Sequence, residues 1–125
     1  MFKIDKNDGT TLLITRGDIG TIKVKKRISE GVYEPFYKDD VVIFSVKSNF
    51  GESEPVLRKT IKVTEDTETV TFSFTKEDTT LGDLIAEPTK YQYDIAINDD
   101  LTILGYDDTT GAKYLKLYPE GSSDK

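Results

Sequence analysis

The chain has 125 residues and a formal net charge of −6, and it contains neither cysteine nor histidine. Disulfides are therefore excluded, and the commonest general base and metal ligand is absent. The negative charge, without a concentrated basic segment, argues against a nucleic-acid partner, and no apolar run is long enough to span a membrane.

Apolar and polar residues alternate along most of the chain, and turn residues separate the alternating segments at short spacing. This pattern is typical of a β-sandwich or barrel, and the lack of long helices between the strands favours antiparallel pairing. At this length we expect one domain that buries its own core. The apolar positions that define the predicted strands are, in chain order, Phe2 and Ile4, Leu12 and Ile14, Ile22 and Val24, Val42, Phe44 and Val46, Leu57, Ile61 and Val63, Val70, Phe72 and Phe74, Tyr91 to Ile97, Leu101 to Leu104, and Ala112 to Tyr118.

Two glycines, Gly17 and Gly20, interrupt the alternation between the second and third predicted strands. Ile19 is out of phase with Ile22, which predicts a bulge or a crossover between sheets and a structural role for both glycines. Residues 16–18 also form the Arg-Gly-Asp tripeptide that integrins recognise. Because strand segments flank it on both sides, we interpret it as a turn that needs glycine for its backbone angle and aspartate for a turn bond.

One segment departs from the strand pattern. Thr75 and Asp78 have the spacing of a helical capping box, with aspartate in the position that glutamate usually holds. Leu81 and Leu84 follow at helical spacing, while a nearby glycine and proline prevent a long helix. We therefore predict one short helical crossing near residues 76–84.

Tyr91 and Tyr93 lie on one face of the strand that follows this crossing. An immunoglobulin-like sandwich places its corner tyrosine at this position, two residues before a core residue. We expect the Tyr91 hydroxyl to bond a backbone group within residues 84–88. We expect Tyr93 to fill the core position that a disulfide cysteine occupies in antibodies, so both tyrosines are assigned structural roles.

The last predicted strand has apolar residues on both faces, namely Tyr114, Leu115, Leu117 and Tyr118. Such a strand is either central in its sheet or covered by another subunit. We expect one face to contact a neighbouring subunit and take these four residues as the candidate interaction site. A proline then ends the strand, so we expect the domain to cover residues 1–119 and residues 120–125 to form a flexible tail.

Other residues suggest sites that we consider weaker. The acidic pairs at 39–40, 99–100 and 107–108 are candidate calcium ligands, but aspartate is also a common turn residue, and we favour that role. The aromatic residues near 33–37 either contact a sugar or protein partner or pack under a loop, and we favour packing. No serine or threonine has a histidine partner and no phosphate-binding glycine loop occurs, so we expect no enzyme, cofactor or metal.

Three segments, in this order, resemble the N-terminal immunoglobulin-like domain of bacteriophage baseplate upper proteins and related tail fibre components. They are residues 14–24 with an Arg-Gly-Asp-x-Gly core, the strand pair at 40–59, and residues 74–97, where Thr-Lys-Glu-Asp-Thr leads to Tyr-x-Tyr-Asp-Ile. The resemblance implies an all-β, immunoglobulin-like antiparallel sandwich in a non-enzymatic virion structural protein that acts in baseplate or tail-fibre attachment or assembly. It also implies other virion or baseplate proteins as partners, and a homo-oligomer for which a trimer is favoured.

The fibre shaft and receptor-binding head of that family do not follow within these 125 residues, so we expect either an excised domain or a small free-standing virion protein. The alternative function is that of a bacterial or prophage immunoglobulin-like module that binds carbohydrate or mediates adhesion. Exposed aromatic side chains arranged on a flat face would favour this alternative.

Overall fold

A computed structural model describes residues 1–29, 31–48, 54–82, 87–98, 101–104 and 113–120. Within these ranges the fold is all β apart from one helical turn, as the sequence pattern predicted. The elements are β1 (Phe2–Ile4), β2 (Leu12–Thr15), β3 (Gly20–Ser29), β4 (Val32–Glu34), β5 (Val41–Lys47), β6 (Leu57–Lys62), β7 (Thr69–Phe74), α1 (Lys76–Thr79), β8 (Thr89–Ile97), β9 (Leu101–Leu104) and β10 (Lys113–Tyr118).

These strands form two sheets that pack face to face around one core. The larger sheet has the order β1-β2-β10-β8-β5-β6, with β9 also paired to β8, and the smaller sheet has the order β4-β3-β7. The order β10-β8-β5-β6, opposite β3 and β7, corresponds to strands G, F, C and C′ opposite B and E of an immunoglobulin-type sandwich. The predicted sandwich fold is therefore confirmed.

One strand pair departs from the prediction of antiparallel sheets. β2 pairs with β10 in parallel, with Leu12 beside Leu115 and Ile14 beside Leu117. After β2 the chain leaves the larger sheet and enters the smaller one as β3, so residues 16–19 form the crossover. Because a crossover rather than a hairpin follows β2, no tight turn imposes an antiparallel direction on that strand.

The two glycines of this crossover are required for different reasons. Gly17 has a φ of 88°, a left-handed conformation that residues with side chains disfavour. Gly20 lies under the Phe2 ring, and a Cβ atom at Gly20 would stand 2.3 Å from Phe2 Cγ. The rings of Phe2 and Phe74 are 5.5 Å apart, so the bare backbone of Gly20 lets β1 close over the edge of the core.

The core lies between the sheets and is built from the inward-facing residues of each strand. Phe44 on β5 is fully buried, and its ring centroid lies 5.3 Å from those of Phe74 and Tyr93. The Phe72 ring lies 5.8 Å away, so Phe44 joins the two sheets. The other buried apolar residues of this core are Leu12, Ile14, Ile22, Val24, Phe36, Val42, Val46, Val63, Val70, Leu81, Tyr91, Ile95, Ile97, Leu115 and Leu117.

The helix α1 is a single turn and is shorter than the predicted range. Its capping box is present, since Asp78 N donates to Thr75 Oγ1 at 3.2 Å and Thr75 N donates to Asp78 Oδ2 at 2.9 Å. Lys59 donates to the same carboxylate at 2.7 Å, which fastens the turn to β6. The helix ends where Thr80 leaves the helical region with ψ 63°, and Leu84 lies outside the described residues.

Tyr91, the predicted corner tyrosine, and Tyr93, the predicted core residue, are both buried, but the hydroxyl bond in the described residues comes from Tyr93. The Tyr93 hydroxyl donates to the Thr10 carbonyl and so fastens the β1–β2 loop to β8. Burial raises the pKa of Tyr93, so the phenol stays protonated and remains a donor. The Tyr91 hydroxyl lies close to Gly82, and most of its expected partner range, 84–88, lies outside the described residues.

Replacing Tyr93 with phenylalanine is expected to lower the free energy of unfolding by about 1–2 kcal/mol, because the Thr10 carbonyl loses its donor. Urea denaturation followed by circular dichroism measures this change. The control is Tyr33→Phe, which alters an exposed ring and should change stability by less than about 0.5 kcal/mol. Equal unfolding midpoints for the wild type and Tyr93→Phe would contradict a stabilising role for the bond.

Candidate interaction surface

β10 runs through the larger sheet between β2 and β8. Leu115 and Leu117 face the core and are 2 % and 0 % exposed, so the expectation that they contact a partner is corrected. They are buried because their face of the larger sheet packs against the smaller sheet. β10 is also central in its sheet, which was one of the two explanations for its apolar faces. The sequence alone indicated that β10 has one core face and one outer face. Lys116 alternates with the two leucines, and it shares the outer face with Tyr114 and Tyr118.

Tyr114 and Tyr118 lie on the outer face of the larger sheet and are partly exposed. Lys90 Nζ lies 4.5 Å from the ring centroid of Tyr114, and Lys116 Nζ lies 5.6 Å from that of Tyr118, within the range of cation–π contacts. We call these four residues the tyrosine surface. Within the described ranges, β10 makes its main backbone contacts with β8 and β2.

Strand register places a row of lysines across the tyrosine surface. Lys90 is directly opposite Lys116, Lys116 is opposite Leu13, and Leu13 is opposite Lys3. Like charges in directly opposed positions destabilise a sheet, so the Lys90–Lys116 pair has an electrostatic cost that an acidic partner would reduce. In a chain of net charge −6, this row is a basic strip flanked by aromatic rings, and its potential is complementary to an acidic protein surface.

Asp94 lies on β8 on the same outer face, two residues beyond Gln92, which is opposite Tyr114. Burial raises the pKa of the Asp94 carboxyl, while the charge of Lys47 lowers it. The carboxyl is therefore partly desolvated in the single chain, and Lys47 is the cation that offsets this effect.

The Arg-Gly-Asp tripeptide is built into the domain. Arg16 is 8 % exposed, and its Nε and Nη2 atoms donate to the carbonyls of Leu81 and Gly82 at 3.1 and 2.7 Å. Its Nη1 atom pairs with Glu120 at 2.6 Å. The guanidinium group is thus engaged in internal bonds, which supports the structural interpretation of the tripeptide. Glu120 consequently belongs to the folded domain rather than to the predicted tail, and residues 121–125 lie outside the described residues.

The acidic pairs were the candidate calcium ligands. The pairs at 99–100 and 107–108 lie outside the described residues. Asp40 accepts from the Tyr37 amide at 2.9 Å, and this bond lowers the pKa of the carboxyl. Asp39 has a φ of 75°, which agrees with the turn role favoured for aspartate. In the part of the chain that the structure describes, no group of three or more possible metal ligands comes together.

The aromatic cluster near the β3–β4 hairpin is divided between core and surface. Phe36 is fully buried, as the packing interpretation predicted, whereas Tyr33 and Tyr37 are 57 % and 47 % exposed. Lys25 Nζ lies 5.8 Å from the Tyr33 ring, and Lys26 Nζ lies 4.7 Å from the Tyr37 ring. Because Lys25 and Lys26 are consecutive residues of β3, the Tyr33 and Tyr37 rings lie against opposite faces of that strand. The apolar and polar pattern of the sequence did not predict that these two rings are exposed, because β4 spans three residues and all three are exposed.

Comparisons with protein-family models, with curated proteins and with solved structures found no match to this chain. In the described ranges, no helix has the length and apolar character needed to cross a membrane. The functional proposal therefore depends on the sandwich fold and on the tyrosine surface.

Proposed function

We propose that the chain is a non-enzymatic structural domain of a tailed-phage or prophage virion, where it attaches or assembles a baseplate or tail-fibre component. The observation that carries the proposal is the tyrosine surface, in which two partly exposed tyrosines and two lysines share one sheet face. The sandwich is also the fold that the resemblance to baseplate domains implies.

The partner proposed for the tyrosine surface is another virion or baseplate protein with an acidic docking face. Tyrosine is enriched in protein interfaces because its rigid ring supplies a large contact area and its hydroxyl still finds a polar partner. The opposed pair Lys90 and Lys116 adds electrostatic complementarity, which acts mainly on association rate and on partner choice. Aromatic area and positive charge together describe a protein-docking face rather than a catalytic cleft.

Self-association is part of the same proposal, because the family resemblance favours a trimer. A closed trimer uses a head-to-tail contact, in which the tyrosine surface of one copy meets a different face of the next copy. The chain carries 23 acidic and 17 basic residues, and the proposed contact requires that some of the acidic side chains form the face that meets the lysine row.

Light scattering at increasing protein concentration tests this self-association. The wild type is expected to approach the mass of a trimer or a multiple of it, and Tyr114→Glu combined with Tyr118→Glu is expected to lose the threefold contact. The matched control is Thr60→Glu combined with Thr102→Glu, which adds the same charge at exposed positions elsewhere on this sheet. Equal masses for the two double variants would contradict the assignment of the interface.

Carbohydrate binding or adhesion is the second candidate function, and the exposure of the Tyr33 and Tyr37 rings favours it. Tyr33 and Tyr37 present aromatic faces of the kind that stack on sugar rings. On a glycan array this function predicts binding that Tyr33→Ala and Tyr37→Ala abolish. The virion proposal predicts no glycan binding by the same protein.

A further inference from the structure

The outer face of the larger sheet carries more cations than carboxylates. The core residues of each strand point inward, so the residues that alternate with them point outward. Among the described strand residues, the outward charged side chains are one carboxylate, Asp94, and six cations, namely Lys3, Lys47, Arg58, Lys62, Lys90 and Lys116. Six positive charges against one negative charge give this face a formal charge of +5, whereas the whole chain has a charge of −6.

Strand register joins five of these cations into one band. The row of Lys3, Lys116 and Lys90 reaches β8. The next strand, β5, carries Lys47, which is opposite the residue two positions after Lys90. The last strand, β6, carries Arg58, which is displaced by two further positions in the same direction. We call these five residues the cation band.

The cation band is long, narrow and accessible. In the sheet order β1-β2-β10-β8-β5-β6, every strand except β2 contributes one of its members. Neighbouring strands lie about 4.8 Å apart, so the band spans about 24 Å across the strands. Lys3, Arg58 and Lys90 are exposed, and Lys47 and Lys116 are partly exposed. A partner can therefore reach all five side chains.

The tyrosine rings beside the band hold two of its ammonium groups. Lys90 Nζ lies 4.5 Å from the ring centroid of Tyr114, and Lys116 Nζ lies 5.6 Å from that of Tyr118. A nucleic-acid base or a sugar that stacks on these rings competes with the lysines for the ring faces. A carboxylate instead binds the ammonium groups directly. This arrangement favours carboxylates over bases and sugars as the groups that the band binds.

We propose that the cation band binds an extended acidic protein segment, which crosses the strands of the larger sheet. A run of aspartate and glutamate residues stays extended because its charges repel each other. At about 3.3 Å per residue, a segment of about seven or eight residues matches the length of the band. The proposal rests on the proposed function only in taking a virion protein as the source of this segment.

Fluorescence anisotropy with labelled octaglutamate and tetraglutamate tests the length of the site, at protein concentrations below those at which light scattering shows self-association. The wild type is expected to bind octaglutamate at least about tenfold more tightly, because tetraglutamate reaches across only half of the band. Higher salt should weaken both interactions. Equal affinities for the two peptides would overturn a site of this length.

A charge removal at the two ends of the band tests its position. Lys3→Gln with Arg58→Gln should weaken octaglutamate binding by about fivefold or more, and should leave tetraglutamate binding at the centre of the band within about twofold. The matched control is Lys23→Gln with Lys25→Gln, which removes the same charge from exposed positions on the smaller sheet. Equal losses of octaglutamate affinity in the two double variants would overturn the proposal.

The identity of the occupant is tested with a thymidine octanucleotide in the same assay. Octaglutamate is expected to bind more tightly, and tighter binding of the oligonucleotide would overturn the proposal in favour of a nucleic acid.

The failure of this proposal can be distinguished from the failure of the proposed function. If a virion protein binds through the tyrosine surface and Lys3→Gln with Arg58→Gln leaves its affinity unchanged, the function stands and the extended segment is wrong. If octaglutamate binds as predicted and no virion protein binds, the cation band stands and the proposed source of the segment is wrong.

Discussion

Replacing Phe44 with alanine is expected to lower the free energy of unfolding by about 3–5 kcal/mol. The Phe44 ring is fully buried and contacts the rings of Phe72 and Phe74 on the smaller sheet and of Tyr93 on the larger one. Alanine leaves a cavity between the sheets that rigid β-strands cannot close. Urea denaturation measures the loss.

The control for this substitution is Phe44→Leu. Leucine keeps most of the buried volume and loses only the ring contacts, so we expect a smaller loss of about 1–2 kcal/mol. A Phe44→Ala protein that is destabilised no more than Phe44→Leu would show that the two sheets do not pack through this ring. A wild-type midpoint for Phe44→Ala would contradict the sandwich arrangement itself.

Replacing Arg16 with alanine is expected to lower the free energy of unfolding by about 2–4 kcal/mol, which is a large effect for a residue that the sequence places in a turn. The substitution removes two donors from the carbonyls of Leu81 and Gly82, and the bond to Leu81 is buried. A buried carbonyl that loses its donor destabilises the fold by its full desolvation free energy, because no water replaces the lost bond. Thermal unfolding followed by circular dichroism measures the change.

Two comparisons separate this structural role from an adhesive one. Glu120→Gln removes only the partly exposed ion pair with Arg16 and should cost less than about 1 kcal/mol. If the Arg-Gly-Asp tripeptide were displayed for adhesion, Arg16→Ala would leave the free energy of unfolding unchanged and would abolish only integrin binding. An Arg16→Ala protein as stable as the wild type would therefore contradict the internal role.

The strands and the helical turn could be predicted because each has a local signal. Val42, Phe44 and Val46 alternate with polar or outward residues on β5, and Thr75 with Asp78 specifies a capping box. The parallel pairing of β2 with β10 could not be predicted, because it depends on residues from opposite ends of the chain, such as Leu12 and Leu115. No turn or short loop connects these strands to fix their direction.

The candidate site was predicted in part. Four residues of β10 were selected for their apolar character, but only Tyr114 and Tyr118 reach the outer face. The lysine partners were missed because Lys90 and Lys116 are brought together by strand register and are far apart in the sequence. Rings and charges become one surface only after the sheet is assembled.

The central claim is that the tyrosine surface docks a virion protein. Biolayer interferometry with the immobilised wild-type chain against each tail and baseplate protein encoded beside its gene tests this claim directly. We predict that at least one of these proteins binds, that higher salt weakens the binding, and that Tyr114→Glu with Tyr118→Glu reduces the affinity by about tenfold or more. The control, Thr60→Glu with Thr102→Glu, should bind as the wild type does. No binding by any of these proteins, or equal binding by the two double variants, would contradict the claim.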